Sequence, residues 1–198
     1  MPRLQAPHRR RQLLEVAADL FARRGFGRTT TAQLAKSAGV SEPILYRHFT
    51  NKLDLFVTLI DQVGAHVIHR REEALEGVVD PKDRLKILVA ANPTTLQRGL
   101  AHYRIILQAI TESERDPAIV SAVRRHVSSL HTFLVAELQN LQEQDVVRND
   151  EPATALAWLL IEVTIGHGML EPGGIAAPTK SGLTEDRHRL LQYLLCPH

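Results

Sequence analysis

The chain has 198 residues, a formal net charge of +2 at pH 7 and one cysteine. This length allows one larger domain or two modest ones, each able to bury a core. Cys196 cannot form an intrachain disulfide and no apolar run follows the basic start, so the sequence indicates neither an oxidising compartment nor a secretory signal. We therefore expect a cytoplasmic protein.

Charge is unevenly distributed along the chain. Residues 1–56 carry ten Lys and Arg against four Asp and Glu, a net charge of +6. The remaining residues carry 14 basic and 18 acidic side chains, a net charge of −4. A basic segment joined to a mildly acidic body is typical of a small DNA-binding module attached to a second domain.

The first predicted helix covers about residues 9–24, where leucine, alanine and phenylalanine recur at helical spacing. Gly25 ends this helix. A second helix is predicted to start at Thr31, because Thr30 and Gln33 have the spacing of a capping box.

A glycine turn and a third short helix follow. Gly39 supplies the positive φ that ends the second helix. Ser41 is predicted to cap the third helix, with Pro43 tolerated in its first turn. Leu45 and Phe49 face inward, which leaves an outward face at Glu42, Pro43, Ile44, Tyr46, Arg47 and His48.

Together these features predict a helix-turn-helix at about residues 30–49. In such a motif the second helix enters the DNA major groove. A structural α-hairpin without DNA contact is the alternative interpretation.

Four sequence blocks carry a specific resemblance: Gly-Phe-Gly-Arg-Thr-Thr-Thr (25–31), Leu-Ala-Lys-Ser-Ala-Gly-Val-Ser (34–41), Leu-Tyr-Arg-His-Phe (45–49) and Asn-Lys-Leu-Asp-Leu (51–55). In this order and spacing they resemble the DNA-binding domain of the tetracycline-repressor (TetR) family, over about residues 9–60. The resemblance implies an all-helical, dimeric transcriptional regulator. The usual mode of regulation that it implies is repression. A small-molecule effector then releases the repressor from a pseudo-palindromic operator in double-stranded DNA.

The third helix departs from the family pattern at Pro43 and Ile44, which follow the acidic Glu42. A glutamate at this position can accept a hydrogen bond from a cytosine amine, or it can favour the helix N-terminus through its charge. We favour the second role.

Individual DNA contacts follow from side-chain chemistry. Tyr46 is expected to reach a phosphate, with packing on the first helix as the alternative. Arg47 can bind a guanine edge or a phosphate, and Lys52 is expected at the DNA backbone. Basic residues 9–11 can enter the minor groove or only raise the local potential. The predicted DNA-binding residues are Arg10, Arg11, Thr30, Thr31, Ser41, Glu42, Pro43, Ile44, Tyr46, Arg47, His48 and Lys52.

Helical patterns continue to the end of the chain. The predicted helices run from Asn51 to about Ala74, from Asp80-Pro81 to Asn92-Pro93, from about Thr95 to Glu112, from Pro117 to about Gln144, from Pro152 to Leu170 and, beyond a Gly/Pro-rich connector at 171–182, from Leu183 to Leu195. We therefore expect an all-α chain, with a DNA-binding domain at 1–57 and an effector-binding and dimerisation domain at 58–198.

The helix from Pro152 to Leu170 is apolar nearly all round and should be buried on several sides. Its most apolar window is about a residue short of a membrane span and contains Glu162 and His167, so a buried helix without membrane contact is expected. The resemblance implies that the last two long helices pair with their copies in a homodimer. An intramolecular core is the alternative.

The resemblance also implies a pocket for a small apolar or amphipathic effector in the C-terminal helices. Polar side chains within apolar helical segments are the candidates to line it. Glu162 has the alternative of an ion pair across the dimer, and His167 that of a satisfied interior histidine. The candidate ligand-binding residues are His102, Tyr103, Arg104, Gln108, Trp158, Glu162, Thr164 and His167.

Two other function classes compete with this interpretation. His66 and His69 share a helix face beside Glu72 and Glu73, but the sequence lacks both a His-Glu-x-x-His signature and a third ligand for a metal-dependent enzyme. A helical protein-interaction scaffold with a degenerate helix-turn-helix is the other rival, and the basic and aromatic third helix argues against it. No cofactor, metal ion or catalytic residue is expected.

Overall fold

The computed structural model describes residues 6–90, 99–112, 116–170 and 191–197, and within these ranges the chain is helical with no strand. The helices are α1 (Ala6–Arg24), α2 (Thr31–Ser37), α3 (Glu42–Tyr46), α4 (Lys52–Leu75), α5 (Pro81–Ala90), α6 (Gly99–Glu112), α7 (Pro117–Glu143) and α8 (Ala153–Leu170). Residues 191–195 are also helical. The all-α prediction is confirmed.

Most helix bounds agree with the sequence prediction to within one residue. The main difference is α1, which begins at Ala6, three residues before the predicted start. The predicted break at Asn92-Pro93, the start near Thr95 and the connector at 171–182 lie outside the described residues.

The chain divides into two compact units. Residues 1–64 and 97–125 form unit 1, whereas residues 65–96 and 126–198 form unit 2. The borders between the units fall within α4 and α7. Unit 1 therefore contains α6 and the start of α7 in addition to the predicted helix-turn-helix.

Aromatic packing organises the core of unit 1. Phe26 stacks on Phe56 with ring centroids 4.4 Å apart, and Phe21 meets the Phe56 ring edge-on at 5.2 Å. Helix α6 packs against α1, where Gln108 Nε2 donates a hydrogen bond of 2.8 Å to the carbonyl of Phe21. The carbonyl at the C-terminal end of α1 thus gains a donor from a distant helix.

Leucines from four helices and from the end of the chain form the core of unit 2. On α7, Leu130, Leu134, Leu138 and Leu141 are buried, which agrees with the expected packing of this helix within a bundle. An ion pair of 2.7 Å between Arg84 Nη2 and Glu137 Oε2 joins α5 to α7.

Helix α8 has 18 residues, and by length and composition alone it is long enough to cross a membrane. The expectation that it is too short is therefore wrong, although core helices of soluble proteins pass the same test. Only about a third of this helix is buried within the chain. The described residues of a single chain therefore do not bury α8 on several sides, as the sequence predicts.

Among the described residues of unit 2, two polar side chains are buried, Arg71 on α4 and His126 on α7. Burial and, to a smaller extent, the positive charge of Arg71 together lower the pKa of His126 to about 4. Its Nδ1 atom has no hydrogen-bond partner among the described residues. His126 is therefore neutral at pH 7.

This pKa makes the stability of the protein fall on acidification. Below pH 6.5 the unfolded chain binds a proton at His126 before the folded chain does, so the free energy of unfolding decreases as the pH falls towards 4. The loss reaches about 3 kcal/mol at one His126 site. In His126→Gln the difference in unfolding free energy between pH 7 and pH 4, measured in urea, should shrink by that amount. His8→Gln, which changes an exposed histidine on α1, is the control and should behave like the parent protein.

Candidate nucleic-acid interface

The start of α2 is fixed by a reciprocal capping box. Thr30 Oγ1 accepts a hydrogen bond of 3.2 Å from the Gln33 amide, and the Gln33 side chain accepts one of 3.1 Å from the Thr30 amide. This arrangement satisfies two amides that a helix start would otherwise leave without partners. The predicted start at Thr31 is confirmed.

Gly39 forms the turn between α2 and α3 with φ +66°, as predicted. After the turn, the Val40 amide donates a hydrogen bond of 3.0 Å to the carbonyl of Ala35. A residue with a Cβ is disfavoured in this left-handed backbone conformation, which explains a glycine at this position.

Ser41 occupies the N-cap position of α3 in an extended conformation, but its side chain makes no capping hydrogen bond. The predicted side-chain cap is therefore wrong. The Ser41 carbonyl instead accepts hydrogen bonds of 3.0 Å from the Ile44 amide and 3.2 Å from the Leu45 amide. Pro43, in the first turn, requires no hydrogen-bond partner for its nitrogen.

The two faces of α3 separate as expected. Leu45 and Phe49 are buried, whereas Pro43, Ile44, Tyr46 and Arg47 are exposed. The Tyr46 side chain is 47% exposed, so packing against the first helix does not cover it. Glu42 and His48 are half-buried. The structure thus brings most of the predicted DNA-binding residues to one accessible surface.

A chain of hydrogen bonds joins α2 to α3 on this surface. Tyr46 Oη donates to Thr31 Oγ1 over 3.3 Å, and Thr31 Oγ1 donates to Glu42 Oε2 over 3.1 Å. Tyr46 and Thr31, both predicted DNA-binding residues, are therefore direct neighbours. Glu42 has a role that sequence reasoning missed, because the 11-residue separation from Thr31 is not a local signal.

Lys52 has two carbonyl partners within the protein. Its Nζ donates hydrogen bonds of 3.0 Å to the carbonyls of both Phe26 and Thr29, and it lies 4.4 Å from the centroid of the Phe26 ring. These contacts attach the turn between α1 and α2 to the start of α4. The predicted contact of Lys52 with the DNA backbone stays a prediction, and the structure adds a role in holding this turn.

The basic residues 9–11 lie within helix α1. The Arg10 guanidinium packs 4.8 Å from the centroid of the Phe49 ring and donates to Thr58 Oγ1 over 3.5 Å, whereas Arg11 is exposed. Of the two roles considered for these arginines, a general positive potential fits a helical backbone better than insertion of an extended arm.

The candidate ligand-binding residues of unit 1 do not line a common pocket among the described residues. Gln108 is engaged by the carbonyl of Phe21, Tyr103 is buried at 2% exposure, and Arg104 is exposed. The side chain of His102 lies outside the described residues.

The candidates of unit 2 have different surroundings. Trp158 is exposed and lies against the ring of His131, with centroids 4.9 Å apart. Glu162 is exposed and His167 is half-buried. Thr164 Oγ1 donates a hydrogen bond of 2.7 Å to the carbonyl of Leu160.

Unit 2 contains an apolar cleft, and among the candidates only Thr164 lines it. Its other polar lining residue is Arg71, which sequence reasoning missed. A signal was available, since Val67, Arg71 and Leu75 lie four residues apart on one helix face and all three are buried.

In the histidine pair on α4, His69 lies beside two exposed glutamates, Glu72 and Glu73. His69 Nε2 lies 3.3 Å from Glu73 Oε1. Within the described ranges, no three His, Cys, Asp or Glu side chains converge as metal ligands.

Comparison with known proteins assigns a family to the N-terminal part of the chain. Residues 13–59 match the family described as bacterial regulatory proteins, tetR family. The transcriptional activator FasR of Mycolicibacterium smegmatis is 30% identical over 122 residues, which cover 62% of this chain and 55% of FasR. The nucleoid occlusion factor SlmA of Aliivibrio fischeri is 38% identical over 84 residues, which cover 42% of this chain and 43% of SlmA. The chain thus spans about half the length of these relatives.

A solved structure supports the fold over the whole chain. A transcriptional regulator of Saccharomonospora viridis, crystallised with choline, superposes with a TM-score of 0.87 at 23% identity, covering 98% of this chain and 100% of the regulator. The helix-turn-helix geometry, the family match and the shared fold agree. Residues 13–59 thus form a helix-turn-helix domain of the tetR family of bacterial regulatory proteins.

Proposed function

We propose that this protein is a homodimeric repressor that binds a pseudo-palindromic operator through α3 and is released by a small-molecule effector bound in unit 2. The exposed face of α3, beside the hydroxyls of Thr31 and Tyr46, is the observation that carries the proposal. The basic residues around this face favour contact with DNA phosphates. We also propose that the protein is cytoplasmic, because this role requires access to DNA in that compartment.

The surface offers both kinds of contact that sequence-specific DNA binding needs. The hydroxyls and His48 are suited to phosphates, which fix the register of the protein on the duplex. Arg47 carries a planar fork of donors that matches the O6 and N7 acceptors of guanine. Glu42 is held by Thr31 and so supports the neighbouring hydroxyls, in addition to its favourable charge at the start of a helix.

The proposed sign of regulation is repression. FasR is named an activator, whereas repression is the usual mode that the family resemblance implies. An effector controls operator affinity only if it binds the DNA-competent and incompetent states with different affinities.

Dimerisation is supported by apolar side chains that a single chain leaves exposed. Trp158, Met169 and Leu170 of α8 and Tyr193 and Leu194 near the chain end are each at least 45% exposed. Trp158 and Met169 are 11 residues apart and hence on the same side of α8. Paired α8 helices, with residues 191–195 beside them, would cover this surface and place two α3 helices in successive major grooves about 34–36 Å apart.

The operator is found by incubating the purified protein with fragmented genomic DNA and sequencing the retained fragments. The affinity for the recovered duplex is then measured by fluorescence anisotropy.

Arg47→Ala should lose about 1–3 kcal/mol of discrimination at one base pair per half-site. The fold should be unchanged because Arg47 is exposed. Arg70→Ala, an exposed arginine in unit 2, is the control. An equal loss on every sequence would make Arg47 a phosphate contact, and absence of any retained duplex would refute the proposed function.

Lys52→Met tests the turn that supports this surface. Removal of the ammonium leaves the carbonyls of Phe26 and Thr29 without this donor, so the free energy of unfolding should fall by about 1–2 kcal/mol. If the third N–H of Lys52 also reaches a phosphate, the slope of log affinity against log salt should decrease by about one unit. Urea unfolding and salt titrations separate the two roles. Lys36→Met, which changes an exposed lysine of α2, should leave stability unchanged.

Trp158→Glu tests the homodimer. A charge at the centre of an apolar interface should weaken dimerisation at least tenfold, as measured by size-exclusion chromatography with light scattering. Val79→Glu is the matched control because Val79 is a lone apolar residue that is 89% exposed. If both variants dimerise like the parent protein, the interface lies elsewhere.

A further inference from the structure

Glu42 is the only acidic residue between positions 30 and 49, and it lies in the first turn of α3. The DNA phosphates and most groups on the base edges of the major groove are hydrogen-bond acceptors, which a carboxylate cannot bind. Helix α3 has only five residues, so few peptide dipoles add up to favour the negative charge. A carboxylate at this position therefore opposes DNA binding unless the duplex supplies a donor to it.

The two oxygens of the Glu42 carboxylate differ in their contacts. Oε2 accepts the hydrogen bond of 3.1 Å from Thr31 Oγ1, which itself accepts one from Tyr46 Oη. Among the described residues, no hydrogen bond or ion pair reaches Oε1. Because Glu42 is half-buried and held by Thr31, its second oxygen is an acceptor with a defined position at the start of α3.

The major groove offers two donors to such an oxygen, the N4 amine of cytosine and the N6 amine of adenine. Adenine places the N7 acceptor beside its amine, and this lone pair repels a negatively charged carboxylate. Cytosine carries no acceptor of its own on this edge, whereas guanine and thymine present only acceptors there. The chemistry of Glu42 Oε1 therefore matches cytosine best among the four bases.

We propose that Glu42 is a specificity-determining residue that binds one cytosine per half-site, with the N4 amine donating to Oε1 while Thr31 holds Oε2. The assignment rests on the proposed function, since it names a base that the same surface recognises. The hydrogen bond from Thr31 favours this contact over the helix-charge role that the sequence alone suggests, because it fixes the direction of the carboxylate.

Modified bases test the contact at the level of one hydrogen atom. Each cytosine of the recovered operator is replaced in turn by N4-methylcytosine, whose methyl group takes the place of the amine hydrogen in the major groove while the pair with guanine is kept. At one cytosine per half-site the parent protein should lose at least about tenfold in affinity, measured by fluorescence anisotropy. In Glu42→Ala the same methyl group should change the affinity by less than about threefold, because the hydrogen bond is already absent.

Either of two results would overturn the assignment. One is an unchanged affinity of the parent protein at every modified cytosine. The other is an equal loss in the parent protein and in Glu42→Ala, which would assign the methyl effect to another residue. If Glu42→Ala does not fold, the scan with the parent protein decides.

Glu42→Gln tests the base preference in a second way. An amide matches the N6 donor and the N7 acceptor of adenine together, so adenine should gain at least about fivefold relative to cytosine at this position. A helix-charge role predicts the same change in affinity on all four bases, and that result would refute the assignment. Glu15→Gln, which removes an exposed glutamate of α1 and changes the net charge equally, is the matched control and should keep the base preference of the parent protein.

Operator binding separates this assignment from the proposed function. An operator that is bound with no dependence on any cytosine amine refutes only the role of Glu42. Absence of any retained duplex refutes the proposed function and, with it, this assignment.

Discussion

The candidate DNA-binding surface on α2 and α3 depends on the ammonium group of Lys52. The Lys52 ammonium binds the carbonyls of Phe26 and Thr29 while it rests on the Phe26 ring, which itself stacks on Phe56. Hydrogen bonds from a charged donor are stronger than neutral ones, and an aromatic face adds attraction to the cation. The turn that leads into Thr30 is thereby fixed to the start of α4. Thr30 can then cap α2, and Thr31 can contact α3. The cap and this contact together fix α2 and α3 in one surface.

The exposed hydrogen-bond chain on this surface is suited to exchange its partners. Tyr46 donates to Thr31 in an exposed position, and Thr31 donates to Glu42 in a partly buried one. A hydrogen bond of this kind contributes only about 0.5–1.5 kcal/mol net, because water competes for the same groups. A phosphate oxygen can therefore replace Thr31 as the acceptor for Tyr46 at little cost. The two hydrogen bonds keep the hydroxyls of Thr31 and Tyr46 ordered in the free protein.

Sequence reasoning succeeded where the signal is local and failed where it is not. Thr30 with Gln33 and the glycine at position 39 define α2 within a few residues, and both predictions are confirmed. The hydroxyl of Ser41 is a different case, since an exposed side chain can turn to solvent while the backbone alone starts the helix. Arg71 was missed because it lies in a run of four charged residues that is typical of a solvated face. The rotational phase of α4 buries it and exposes its neighbour Arg70, and the pattern of burial depends on packing partners distant in sequence.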